Sequence, residues 1–173
     1  MGSSSWSYVV AYQPDISAAL AELRQATYDA GAYYREEPDP NLSLSEDEFR
    51  ARLDPAWDDL GINESLLQEW QEAKARPPVT GPDSLLNSQP HSGTHSIIDM
   101  ANGVSVTPRP FTVSPLSDDE LGQHFGTTAP SHDQVEGWMK AGGSGRSGWV
   151  GVYVISYEHG RPAHIHFGGY SGD

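Results

Sequence analysis

Seven histidines are spread along this 173-residue chain, and two pairs of them have a spacing that bears on chemistry. His164 and His166 stand two apart in a run of strand-forming residues, so both rings fall on one face of a strand. Neutral imidazole in that array is a ligand for zinc, nickel or iron, and equally a general base. His91 and His95 are four apart but flank Ser92-Gly93-Thr94, which does not support the helical geometry that such a pair needs. The best local acid–base combination is Thr94-His95-Ser96 with Asp99. Read as a strand, it puts His95 and Asp99 on one face and Ser96 on the other, which excludes a Ser-His-Asp triad within the segment. The base would then be His164 or His166, provided this strand neighbours the C-terminal one. A metal would need Asp99, Asp133 or Glu158 brought close. There is no cysteine, no H-E-x-x-H and no G-x-S-x-G, so no cofactor is assigned and His164 and His166 are the only metal candidates. The competing reading is a pair of half-buried imidazoles packed among aromatic rings.

Two other groups invite a binding role. Gly143, Gly145 and Gly148 match G-x-G-x-x-G, but a dinucleotide site requires strand, glycines, then helix. Here helix, glycines and strand follow in the opposite order, which rejects it and leaves Arg146 at a loop tip. Trp149, Tyr153 and Tyr157 combine apolar area with a polar handle, as interface residues do. With Arg146 they make a candidate binding surface if their face is left uncovered; if helices cover it, they are core.

Ten Lys and Arg against 24 Asp and Glu give a net charge of −14. Phosphate backbones and anionic membranes repel such a chain, which argues against nucleic acid and membrane partners and for a basic protein. The absence of cysteine excludes disulfides, and no apolar run approaches membrane-spanning length. The N-terminal sequence lacks the basic-then-apolar order of a signal peptide, so a cytoplasmic protein is expected.

The elements that must position these residues are led by the C-terminal stretch. Trp149–Tyr157 and Ala163–Phe167 flank Glu158-His159-Gly160-Arg161-Pro162 and read as a β-hairpin. Pairing from Tyr157 opposite Pro162 sets Ile155 against His164 and Tyr153 against His166. Val150, Val152, Val154, Ile165 and Phe167 then form one apolar face, and the histidines share the other with the aromatics. Ser7–Gln13 reads as a first strand, and Asp15 caps a helix over 16–30. Ser45 with Glu48, Ser117 with Glu120 and Ser131 with Gln134 open three more helices, and another runs from Glu64 to Ala75 with Asn63 as cap. Ser96–Met100 and Val104–Val106 read as strands. An acidic helical insert is expected at 36–76 and a mobile loop at 77–95, with a helical turn at Asp83–Leu86. The fold class is α+β, a mainly antiparallel sheet packed by helices in a single domain.

Residues 6–34, 93–100 with 115–136, and 151–173 resemble a group of small stand-alone bacterial proteins. These share a Tyr-Gln-Pro-Asp start, a Gly-Thr-x-Ser-Ile-x-Asp-Met segment and a Gly-Tyr-Ser-x-Asp end. The resemblance implies a compact bacterial domain; no activity is assigned to that group, so it carries no catalytic residue. The expected function is a non-enzymatic interaction protein, an inhibitor or immunity-type factor for a basic toxin or enzyme. The alternatives are a small enzyme or metal-binding protein using His164, His166, His95 and Asp99, and an oligomeric scaffold.

Overall fold

The computed structural model describes residues 4–89, 91–143 and 146–171. These form β1 (Ser4–Ala11), α1 (Ile16–Asp29), α2 (Glu46–Arg50), α3 (Ile62–Lys74), α4 (Pro82–Ser88), β2 (Val113–Pro115), α5 (Asp118–Phe125), α6 (His132–Lys140), β3 (Gly151–Glu158) and β4 (Arg161–Ser171). The fold is α+β. The chain divides into two compact units, Glu36–Val79 and the residues on either side of it.

In the larger unit the strands lie in the order β1-β4-β3-β2. β4 pairs antiparallel with both β1 and β3, and β2 pairs parallel with β3. The hairpin turns on two residues, His159 and Gly160, both at positive φ (51° and 76°) as a type I′ turn requires. Pairing begins Glu158 to Arg161 and Tyr157 to Pro162, then shifts: Ser156 meets His164, Ile155 meets Ile165 and Tyr153 meets Phe167. Ala163 is the extra residue of a β-bulge, and its carbonyl accepts from the Tyr12 N–H instead.

That one residue overturns the expected sorting of faces. Val152 and Val154 share a side with His164 and His166, while Ile165 and Phe167 share the other with Tyr153 and Ile155. All four aliphatic and Phe side chains remain buried because both faces are covered. On one, Ile165 and Phe167 pack with Trp6, Leu20, Ile97 and Met100, so α1 and the 97–100 turn lie there. On the other, Val152 and Val154 pack with Leu116, Val135, Trp138 and Met139, so α5 and α6 lie there.

Several local expectations are met by the backbone. Asp15 caps α1 by accepting from the Ala18 N–H, and capping boxes open α2, α5 and α6. Others are corrected. Ser96–Met100 is not a strand: Ser96 and Asp99 cap each other across a single 3-10 turn, Ile97–Asp99. Val104–Val106 contributes only one bridge, Val104 to Val113, and the strand that follows is β2. The 77–95 stretch is not one loop: α4 occupies its middle, over the helical turn expected at Asp83–Leu86, and Leu85 is fully buried. Asn63 does not cap α3, which starts one residue earlier; its amide donates to the Asp54 carbonyl and Asp58 carboxylate.

The smaller unit has its own core of Phe49, Leu67 and Trp70. Phe49 and Trp70 stack with centroids 4.9 Å apart, and the Trp70 indole N–H donates to the Asn41 carbonyl at 2.8 Å.

Candidate functional site

The structure does not gather the sequence-predicted site residues into one place. His164 and His166 stand on the α5/α6 face, whereas the 97–100 turn carrying Asp99 packs against the opposite face. His95 belongs to neither grouping: its Nδ1 pairs with the Ser4 hydroxyl at 3.2 Å and its ring stacks on Tyr34. Arg146 is not a free loop tip. Its side chain is 14 % exposed and holds Glu120 at 3.0 Å and the Pro115 carbonyl. Tyr153 packs in the α1-side core 6.3 Å from Phe167, and burial pushes its phenol above the ordinary range. Tyr157 is half-buried, its N–H donating to the Pro130 carbonyl. Gly145 lies outside the described residues.

The strand histidines acquire a partner that spacing alone did not offer, His132 at the first position of α6. Its ring lies 4.9 Å from that of His164 and 5.1 Å from that of His166. The Nε2 of His166 bonds Ser156 Oγ at 3.0 Å, while the Nδ1 atoms of all three rings are buried without a partner. Glu158 stands 3.8 Å from His164 Nδ1, too far for a hydrogen bond. Burial pushes His166 down to about 4, and the neighbouring His132 and His164 push the same way against a weaker pull from Glu136. Within this cluster His166 is the ring held neutral below its ordinary range. Among the described residues no group of three or more His, Asp or Glu side chains is arranged to hold a metal ion.

The second assembly is centred on Asp99, which is wholly buried. Oδ1 accepts from the Thr94 N–H at 2.7 Å and its hydroxyl at 2.8 Å, and Oδ2 from the Ser96 N–H at 3.3 Å. The Thr94 and Ser96 hydroxyls bond each other at 2.8 Å. Tyr8 of β1 joins from the sheet: burial pushes its phenol upward, opposed by hydrogen bonds from the Ile97 backbone, Thr27 and Ser96. Arg24 of α1 anchors the same turn by donating to the Ile98 carbonyl and pairing Asp83 at 2.6 Å.

Beside Asp99 lies a cavity of about 210 Å³ that Gln89, Gly93, Ala101, Asn102, Phe111 and Trp149 also line. Its wall is made of strained backbone. Phe111 and Trp149 have φ of 62° and 66°, a conformation that costs roughly 1–3 kcal/mol for each such residue. The strain is held by hydrogen bonds: the Phe111 N–H donates to the Trp149 carbonyl at 2.6 Å, and the Trp149 N–H to the Tyr170 carbonyl at 3.0 Å. The two rings sit 5.4 Å apart. A glycine is required at 93, where any Cβ would overlap the Trp149 indole.

The smaller unit presents a different surface. Its 44 residues carry 12 Asp and Glu against 4 Lys and Arg, a net of −8. Among them Leu60 is 71 % and Trp57 44 % exposed, and Ile62 is exposed as well. Asp58, Asp59 and Glu64 interleave with these apolar side chains. No helix among the described residues is long and apolar enough to cross a membrane. Comparison with family models, with curated proteins and with solved structures finds no match to this chain.

Proposed function

We propose that the chain is a non-enzymatic interaction protein of the cytoplasm that binds a basic protein, as an inhibitor or immunity-type factor does. The observation that carries this reading is the unit Glu36–Val79, whose net charge of −8 accompanies the exposed Trp57, Leu60 and Ile62. Exposed Trp and Leu among acidic residues supply the two parts of a binding hot spot, an apolar anchor and polar neighbours. Acidic groups around that anchor steer a cationic partner and disfavour an anionic one. The enzymatic alternative needs His164 or His166 beside Asp99, and those residues lie on opposite sides of the sheet. No observation favours it.

The test is affinity capture from the chain's own host with the parent protein and two variants, Leu60→Asp and Trp57→Ala. The expected result is a basic protein retained at low salt. Its affinity falls at least ten-fold in either variant and again between about 50 and 300 mM salt, as surface charge is screened. Retention of no basic protein, or capture indifferent to both substitutions and to salt, overturns the proposal.

A further inference from the structure

We infer that the cavity beside Asp99 is a binding site for an organic cation, a guanidinium or primary ammonium group. This rests on the larger unit alone and does not depend on the acidic surface of Glu36–Val79.

Three features converge on that ligand chemistry. The first is charge. Among the described residues Asp99 is fully buried and no Lys, Arg or His pairs with it. Buried carboxylates ordinarily have a cationic partner, because the desolvation cost is otherwise met only by hydrogen bonds. Here those bonds are uneven: Oδ1 has two short donors, and Oδ2 has one at 3.3 Å. Asp99 is itself sealed from solvent beneath the cavity lining, so it acts on an occupant through its field across a thin layer of protein.

The second feature is the wall. Trp149 and Phe111 present indole and phenyl rings to the same space, and aromatic faces attract guanidinium and ammonium ions. The third is the lining of amides. Asn87 and Asn102 stand at the same cavity, each with a carbonyl oxygen able to accept from a cation's N–H groups. The Asp99 carboxylate disfavours an anion here, and a purely apolar ligand would leave the amides unpaired. Both aromatic residues hold left-handed backbone conformations, which a packing role alone would not demand.

Methylguanidinium serves as the probe and N-methylurea as its neutral counterpart of similar shape, each titrated into the full chain by calorimetry. The blocking variant is Ala101→Trp, which fills the cavity from an exposed position and leaves Asp99 and its hydrogen bonds intact. Saturable binding of methylguanidinium, at least ten-fold tighter than N-methylurea and at least ten-fold weaker in a natively melting Ala101→Trp, is the expected result. Asp99→Asn, if it folds, should lose the same preference. No saturable binding, equal binding of the urea, or binding unchanged in Ala101→Trp overturns the proposal. A glycine-flanked arginine peptide separates the two sources of such a cation. If it binds ten-fold tighter than methylguanidinium, with the gain lost in Ala101→Trp, the natural occupant is an arginine side chain of a macromolecule. If it binds no tighter, the occupant is a free small cation.

Discussion

The two faces of the sheet bury polar groups by opposite rules. On the α1 side, Tyr8, Thr94, Ser96 and Asp99 hold one another in a network whose hydroxyls and carboxylate all have partners. On the α5/α6 side, His132, His164 and His166 pack ring against ring, and each leaves a nitrogen buried and unpaired. The first arrangement gains from charge, because Asp99 organises three donors. The second disfavours charge at His166, which is buried beside two other imidazoles. One sheet therefore has one face that depends on a carboxylate and one that holds His166 uncharged below its ordinary range.

Removing the carboxylate should have the largest effect. Asp99→Ala strands the Thr94 N–H and the Ser96 N–H in the interior, leaves the Thr94 hydroxyl only its bond to Ser96, and opens a small void. A buried unsatisfied donor costs about 1–3 kcal/mol, so a loss of roughly 3–5 kcal/mol is expected. Urea denaturation measures it. A shift in midpoint worth less than about 1 kcal/mol would mean that the network is not what holds the 94–99 turn.

Acid should act on the other face. His166 has its folded value lowered to about 4 from an ordinary 6.5, so the unfolded chain takes up a proton first. Stability from this residue is complete above pH about 6.5 and drains away as pH falls toward 4, by roughly 3 kcal/mol in total. Glu136 tempers the loss, against burial and the neighbouring His132 and His164, which lower the value. His166→Phe should keep the packing and flatten this dependence, so that the variant outlasts the parent at pH 4.5. Parallel stability curves for the two proteins between pH 7 and 4.5 would show that the cluster is no proton sensor.

The difference between the faces was only partly legible in the sequence. The hairpin, α1 and the three helices with a hydroxyl and a Glu or Gln three residues on were readable, because each depends on neighbours close in the chain. The same kind of signal stood at Ser96 and Asp99, but the β-branched Ile97 and Ile98 suggested a strand and outweighed it. The bulge at Ala163 was not legible. It depends on Tyr12 claiming the Ala163 carbonyl from a strand 150 residues away, and it decides which face receives the histidines. His132 and Phe111 were missed for a related reason: only tertiary packing brings them to His164 and to Trp149.

Two adjacent glycines offer the finest comparison, one on each face. Gly168 lies on the histidine side, where an added Cβ would overlap Met139 of α6; Gly169 lies on the other, where it would overlap the Trp6 indole. Met139 ends in a flexible thioether that can swing aside. Trp6 cannot, because its indole N–H donates to Ser171 Oγ at 2.8 Å and its ring fills the core beside Met100 and Phe167. Over-packing a rigid site costs about 1–3 kcal/mol. Gly169→Ala should therefore lose about 2–3 kcal/mol, against about 1 kcal/mol or less for Gly168→Ala. Chemical denaturation of the two single variants under one buffer decides the order. Equal losses would mean that Met139 is as firmly held as Trp6, and that the α6 layer is no softer than the α1 layer across the sheet.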